Sequence, residues 1–283
     1  MPQSRYTIRA MTRPEVDIAL HWAATEGWNP GLHDADSFYA ADPGGFLVGL
    51  LHNEPIAVIS AIRYGSTFGF IGFYIVKPAF RREGYGLQIW NAGLKHLNGR
   101  TIGLDGVVDQ QENYKKSGFA LAHRNIRYCG CTSNRDTPQH AAVPLSQCSF
   151  EAVEAYDSLC FPANRTSFLQ KWIDQPQSIA VGIMKNNQLA GYGMIRPCQV
   201  GYKVGPLFAD DSVLADQLFT HLKSQVPEMS PIFLDIPETN PNAVDLVIHH
   251  GMTASFETAR MYKGKCPKIA INKLYGITSF ELG

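Results

Sequence analysis

Long apolar runs, a charge imbalance and paired cysteines are all missing from this chain, and each absence removes a class of function. No segment approaches the ~20 consecutive apolar residues that span a bilayer, and residues 1–9 carry no apolar core followed by a cleavage site. The expectation is a cytoplasmic protein with no membrane partner. Lys and Arg number 25 against 25 Asp and Glu, so no overall basic field draws nucleic acid to the protein. The six cysteines, Cys129, Cys131, Cys148, Cys160, Cys198 and Cys266, include no CxxC pair for zinc. Ordinary thiols in a reducing compartment are expected. No metal is expected either.

The chain is long enough for two domains of about 140 residues each. Hydrophobic residues make up 45% and charged residues 18%, the balance of a globular protein. Residues 6–10 alternate as a first strand, and Thr12-Arg13-Pro14-Glu15 has the form of a capping box opening a helix that reaches Ala23. Glu26-Gly27-Trp28-Asn29-Pro30-Gly31 is a turn-rich loop running into acidic Asp34-Ala35-Asp36. It is either a connector with a packed tryptophan or part of a substrate pocket. Polar His52-Asn53-Glu54-Pro55 between apolar runs predicts a hairpin, and 68–76 the next strand. A helix burying Leu87, Ile89, Trp90, Leu94 and Leu97 follows, then a short strand over 101–105, a helical piece near 109–116 and a strand to about Tyr128. This order predicts an α/β fold on a mixed sheet.

The second half repeats the first. Val48-Gly49-Leu50-Leu51-His52-Asn53-Glu54-Pro55-Ile56-Ala57 aligns without a gap on Val181-Gly182-Ile183-Met184-Lys185-Asn186-Asn187-Gln188-Leu189-Ala190, and Ile62-Arg63 continues onto Ile195-Arg196. Further on, Leu104-Asp105 answers Leu234-Asp235, Gly118-Phe119 answers Gly251-Met252, and Arg127-Tyr128-Cys129-Gly130 answers Met261-Tyr262-Lys263-Gly264. An ordered series of matches points to duplication of one domain. Polar residues 132–139 mark the boundary, giving domains over 1–135 and 140–283.

The most informative stretch is Tyr74 to Gly86. An apolar strand ends in Val76-Lys77-Pro78, and Arg81-Arg82-Glu83-Gly84-Tyr85-Gly86 leads into the helix. Gly84 and Gly86 leave backbone N–H groups uncovered where a helix adds its positive end, which suits an anion such as pyrophosphate. The turn lacks the GK[ST] ending of a P-loop and the spacing of GxGxxG. Its RxxGxG pattern, with Tyr114-Lys115-Lys116-Ser117-Gly118-Phe119 after it, resembles the acetyl-CoA site of the GCN5-related N-acetyltransferases (GNATs). The whole chain is similar to tandem GNAT proteins of the bacterial group described as YitH-like.

The resemblance implies two tandem GNAT-like domains, each a mixed, mostly antiparallel sheet flanked by helices. It implies an acetyltransferase that moves an acetyl group from acetyl-CoA to a primary amine by direct attack, releasing coenzyme A. Backbone groups of Tyr74, Ile75 and Val76 would pair with the pantetheine arm, and the turn from Arg81 and Arg82 through Glu83, Gly84, Tyr85 and Gly86 to Leu87 would hold the pyrophosphate, with Asn113 also at the coenzyme. Tyr114 would protonate the departing thiolate. The residue where some family members keep a catalytic glutamate is Phe70, which leaves Glu26, His21 or Asp105 as candidate bases; Glu26 is taken as the catalytic one. Trp28, Asp34 and Asp36 would receive a cationic small-molecule amine. In the second copy the turn reads Val204-Gly205-Pro206-Leu207-Phe208-Ala209-Asp210-Asp211-Ser212-Val213, with two carboxylates where phosphate would lie, so only the first copy should bind coenzyme. The alternatives are a non-catalytic acyl-CoA sensor and an enzyme acting on protein lysines or N-termini. The pseudo-dimer is expected as a monomer or a homodimer.

Overall fold

The computed structural model describes residues 6–133 and 142–283. Most of the boundary expected at 132–139 therefore lies outside the described residues. Local signals act as expected at the start. The Glu15 carboxylate accepts from the Thr12 amide at 2.8 Å and closes the capping box of α1 (Arg13–Thr25). Both matched hairpins turn on two consecutive left-handed residues, His52-Asn53 and Asn186-Asn187, the backbone a two-residue turn between twisted strands requires.

The first half contributes β1 (Thr7–Ala10), α1, α2 (Asp34–Ala41), β2 (Phe46–Leu51), β3 (Glu54–Tyr64), β4 (Phe68–Val76), α3 (Tyr85–His96), β5 (Thr101–Val107), α4 (Gln111–Lys116) and β6 (Ala120–Cys131). The second contributes β7 (Val143–Pro144), α5 (Phe150–Cys160), α6 (Thr166–Trp172), β8 (Ile179–Lys185), β9 (Gln188–Pro197), β10 (Tyr202–Ala209), α7 (Ser212–Ser224), β11 (Pro231–Pro237), α8 (Pro241–His249), β12 (Thr253–Lys263) and β13 (Leu274–Gly276). Each half is a mixed, mostly antiparallel sheet with helices on its faces. α3 packs through Ile89, Trp90 and Gly93 on Ile59 and Ala61 of β3. On the opposite face of that sheet, Phe38 of α2 meets Phe73 of β4 and Trp172 of α6, which joins the halves in one apolar core.

The strands form one continuous sheet in the order β1-β2-β3-β4-β5-β12-β6-β11-β10-β9-β8-β7. The last long strand of each half is exchanged. β12 of the second half pairs with β5 of the first, and β6 of the first pairs with β11 of the second. Two bidentate ion pairs mark the exchange: Arg260 of β12 holds Asp105 of β5 at 2.6 and 2.8 Å, and Arg127 of β6 holds Asp235 of β11 at 2.7 and 2.8 Å. These partners correct the sequence alignment by one residue, because Arg127 answers Arg260 and not Met261. The corrected match keeps the offset of 133 residues that Gly118 and Gly251 already show.

One further expectation is corrected. α3 starts at Tyr85, and Leu87 stands on its open face, 63% exposed, instead of in the core. Asp34-Ala35-Asp36, into which the turn-rich loop runs, is the first turn of α2.

Candidate active site

β4 and β5 run parallel only from Phe68↔Thr101 to Ile71↔Leu104 and then part. Beyond that point β4 keeps β3 on one side and β5 keeps β12 on the other, so Gly72–Val76 and Asp105–Val107 form the two arms of a V. A bulge sits on the β4 arm: Phe73 and Tyr74 together face Ile59, and Phe73, buried, has φ +47°. A bulge of this kind turns backbone groups out of the ladder and re-aims them. Non-glycine residues rarely hold such a φ unless their surroundings dictate it.

At the open end of the V lies the glycine turn. Arg82 and Gly84 are both left-handed, at φ +67° and +83°, and left-handed residues among right-handed ones gather successive N–H groups into an anion-binding concavity. The first bond into α3 runs from the Gln88 N–H to the Gly84 carbonyl at 3.2 Å, so the amides before Gln88 have no partner within the helix. Gly86 is required for a different reason. A Cβ there would lie 2.7 Å from the Tyr74 hydroxyl. Arg81 braces the turn, giving Nε to the Val76 carbonyl at 2.8 Å and Nη2 to Glu26 at 2.5 Å. The Val76 carbonyl, expected to meet the coenzyme, is thus already engaged.

A cavity of about 910 Å³ fills the V, near the upper end of the range for small-molecule and cofactor sites. Trp28, Tyr74, Ile75, Val76, Arg81, Arg82, Gly84, Gly86, Leu87, Asn113 and Tyr114 line it, as does Glu26. Glu83 and Tyr85 do not; the Tyr85 ring instead packs at a tilt against Tyr6, 4.9 Å between centroids. Tyr114 is buried, its ring 5.5 Å from Trp90, and its hydroxyl has no hydrogen-bond partner among the described residues. Burial pushes its pKa up, with Tyr74 adding to the effect, so the phenol keeps its proton at neutral pH.

Two of the sequence-based assignments, Asp34 and Asp36, do not survive the geometry. Asp34 is fully buried in a bidentate pair with Arg196, 2.8 and 3.3 Å, and also accepts from the Gly31 amide, so it cannot receive a substrate. Asp36 lies outside the cavity lining on the outer surface, bonded to Arg13. Glu26 does line the cavity, but its bond to Arg81 competes with a role as base. Of the other candidate bases, His21 is outside the lining, and Asp105 is held by Arg260 and by Asn125 at 2.8 Å.

What the sequence reading missed comes from the second half: Phe256 and Thr258 of β12, and Phe280 and Glu281 of the segment after β13, also line this cavity. Their route is visible in the second copy of the V. β10 and β11 pair in parallel from Tyr202↔Ile232 to Val204↔Leu234 and then part like β4 and β5. Here β13 lies in the gap, paired to β10, and the Ile277 N–H donates to the Asp235 carbonyl at 2.8 Å. The helix after this V is capped internally, since Asp211 accepts from the Leu214 amide at 2.9 Å, while Asp210 is bonded to Lys273 and Tyr156 at 2.8 Å. The one legible signal was Glu281, the only charged side chain in the stretch from Leu274 to Gly283.

A splayed parallel strand pair, a bulge on one of its arms, an amide-lined turn and a buried phenol meet around one cavity. Sequence comparison agrees: the Acetyltransferase (GNAT) family profile matches residues 14–119, and an Acetyltransferase (GNAT) domain profile matches residues 153–276. The holothin acyltransferase of Pseudoalteromonas sp. (strain SANK 73390) is 30% identical over 98% of this chain and 95% of that protein. The uncharacterized N-acetyltransferase YitH of Bacillus subtilis is 27% identical over 75% of this chain and 76% of its own. A crystal structure from Pyrococcus horikoshii superposes with a TM-score of 0.83 at 22% identity, covering 100% of this chain and 97% of that one, and bears on the fold alone. The chain belongs to the GCN5-related N-acetyltransferase family, in its tandem form, and is an N-acetyltransferase. Among the described residues no cluster suits a metal ion, and no helix is long and apolar enough to cross a membrane.

Proposed function

We propose that residues 1–135 bind acetyl-CoA and transfer its acetyl group to the primary amine of a small molecule, both substrates being present together, and that residues 140–283 form a degenerate copy that shapes the acceptor pocket. The observation that carries this reading is the V between β4 and β5 with Tyr114 in the same cavity. The fit to the coenzyme rests on the left-handed pair Arg82 and Gly84 and on the amides before Gln88 that have no partner within the helix. When bound there, acetyl-CoA supplies an activated thioester.

The protein's own part is to orient and to handle charge. Amides of Arg82 through Leu87 hold the pyrophosphate, and the free edge of Gly72–Ile75 pairs with the pantetheine arm. A bulge N–H stabilises the negative charge that grows on the acetyl oxygen, an effect strongest where donors are preorganised away from water. Tyr114 gives its proton to the departing sulfur; an ordinary thiol, pKa ~8.5, leaves readily with mild assistance.

The second V supports a single coenzyme site, because β13 and Asp211 occupy what the first V leaves open. A small-molecule acceptor is favoured by the aromatic wall that Phe256 and Phe280 add and by the name of the relative, which acylates holothin. The test is coenzyme A release by the purified protein with acetyl-CoA and a series of primary amines, with products weighed by mass spectrometry. Acetyl-CoA binding without acetylation of any amine would refute the reading.

A further inference from the structure

We propose that Glu281, carried from the second half into the cavity of the first, receives the acceptor amine as its ammonium ion and takes its proton. The inference rests on the acetyltransferase reading above and fills the place of the missing base.

Glu281 is 2% exposed, and neither carboxyl oxygen has a hydrogen-bond partner among the described residues. Buried polar groups are nearly always paired, and an unpaired carboxyl costs more than most. Such a group persists where a ligand completes it. The same cavity contains a second orphan, the buried Thr258 hydroxyl. Glu281 is also placed at the reacting end of the V: its backbone carbonyl abuts Gly72, where a Cβ would lie 2.0 Å from it, one residue before the bulge at Phe73.

The charges around it leave room for a cation. Arg127 of β6 is neutralised by Asp235, and Arg196 of β9 by Asp34 of α2. Lys203 of β10 gives its Nζ to the Asn29 carbonyl at 2.9 Å and makes no ion pair among the described residues. Burial favours the uncharged form of both leftover groups, raising the pKa of Glu281 against the opposing pull of Lys203, Arg127 and Arg196, and lowering that of Lys203, where Arg127 adds to the effect. A carboxylate so raised is a stronger base than an exposed one, and an incoming ammonium would supply the charge it lacks.

The step balances. The ammonium gives one proton to the Glu281 carboxylate, and the freed lone pair forms the bond from nitrogen to the acetyl carbon. The bond from that carbon to sulfur breaks, its electron pair leaving on sulfur, which takes the Tyr114 proton. A second proton from nitrogen restores the phenol, the third stays on the amide, and Glu281 is left in its protonated resting form, whose proton passes to solvent when the next ammonium binds.

Two measurements on the full chain test this. The first is the infrared carboxyl signal of the protein with coenzyme A, with and without a primary amine, compared between wild type and Glu281→Gln. A protonated-carboxyl band that amine abolishes, and that is missing from the variant, is expected. The second is the pH profile of kcat/KM for an amine that wild type acetylates. Glu281→Gln should lose about 10²- to 10⁴-fold in kcat together with the acidic limb, with acetyl-CoA affinity unchanged, and Glu281→Asp should recover part of it. A Glu281→Gln enzyme within twofold of wild type with the same profile, or a band indifferent to amine, overturns the inference and leaves the acetyltransferase reading intact. Should wild type acetylate nothing while the band responds to amine, the acetyltransferase reading falls and the amine site stands. If Glu281→Gln does not fold, the wild-type band and the Glu281→Asp profile decide.

Discussion

Replacing Gly106 by alanine is a one-methyl test of whether Tyr114 works where the cavity places it. A Cβ at position 106 would lie 2.2 Å from Cε2, 2.8 Å from Cδ2 and 3.0 Å from Cζ of the Tyr114 ring. Carbon atoms settle about 3.5–4.0 Å apart, so the ring must retreat by more than about 1 Å, or β5 must yield. β5 is paired to β12 from Ile102 to Val107 and anchored by Arg260, so the ring is the part that moves. A misplacement of about 1 Å in a catalytic group costs on the order of 10²-fold, and overpacking costs about 1–3 kcal/mol of stability. The expected result is a kcat about 10²-fold lower with unchanged affinity for acetyl-CoA. The assay is continuous thiol release with an accepted amine, alongside calorimetric titration of the coenzyme. Tyr114→Phe alone should also lower kcat by about 10²-fold. In the double variant the two losses should overlap, since a displaced phenol and a missing one fail in the same way. A Gly106→Ala enzyme within twofold of wild type would refute the reasoning, as would losses that multiply in full.

Removing one partner of the buried Arg196–Asp34 pair, as Arg196→Met, should cost about 3–5 kcal/mol, because it leaves a buried carboxylate uncompensated; urea unfolding measures it, and a loss below about 1 kcal/mol would contradict the pair's burial. Asp211→Ala should cost about 1 kcal/mol through loss of the helix cap while titration still finds one coenzyme per chain, and a second site appearing would show that the cap, not β13, blocks the second V. His123 supplies a pH dependence. Burial, with Arg260 adding to it, holds its pKa down at about 4, so below the unfolded value of ~6.5 the unfolded chain binds a proton that the folded one refuses. Stability contributed above that value is lost as the pH falls toward 4, by about 2 kcal/mol between pH 7.5 and 5, and His123→Gln should flatten that part of the curve in urea titrations.

The elements of each half were legible because each rests on local signals: the capping box at Thr12, the two left-handed hairpin turns, the glycine punctuation before α3. The strand end and turn proposed to hold the coenzyme were legible for the same reason, since they are contiguous from Tyr74 to Leu87. The acceptor end was not. Phe256 and Thr258 arrive on the exchanged strand β12, and Phe280 and Glu281 on the segment that follows β13 through the second V; no local periodicity records which edge a strand will join. Asp34 and Asp36 illustrate the complementary limit. Two acidic residues in one turn look alike in sequence, yet one faces Arg196 in the core and the other faces Arg13 at the surface.

The exchange of β6 and β12 also sets a timetable for synthesis. Asp105 and Arg260 are 155 residues apart, and at ribosomal speeds of about 5–20 residues per second the edge of β5 waits roughly 8–30 seconds for its partner. Throughout that interval the amide-lined turn and the bulged strand already exist as sequence, but one arm of the V has nothing behind it. An N-terminal fragment should therefore leave the ribosome with an open, aggregation-prone edge instead of a working half-enzyme. The duplication that made two similar domains has left a protein whose halves must wait for each other.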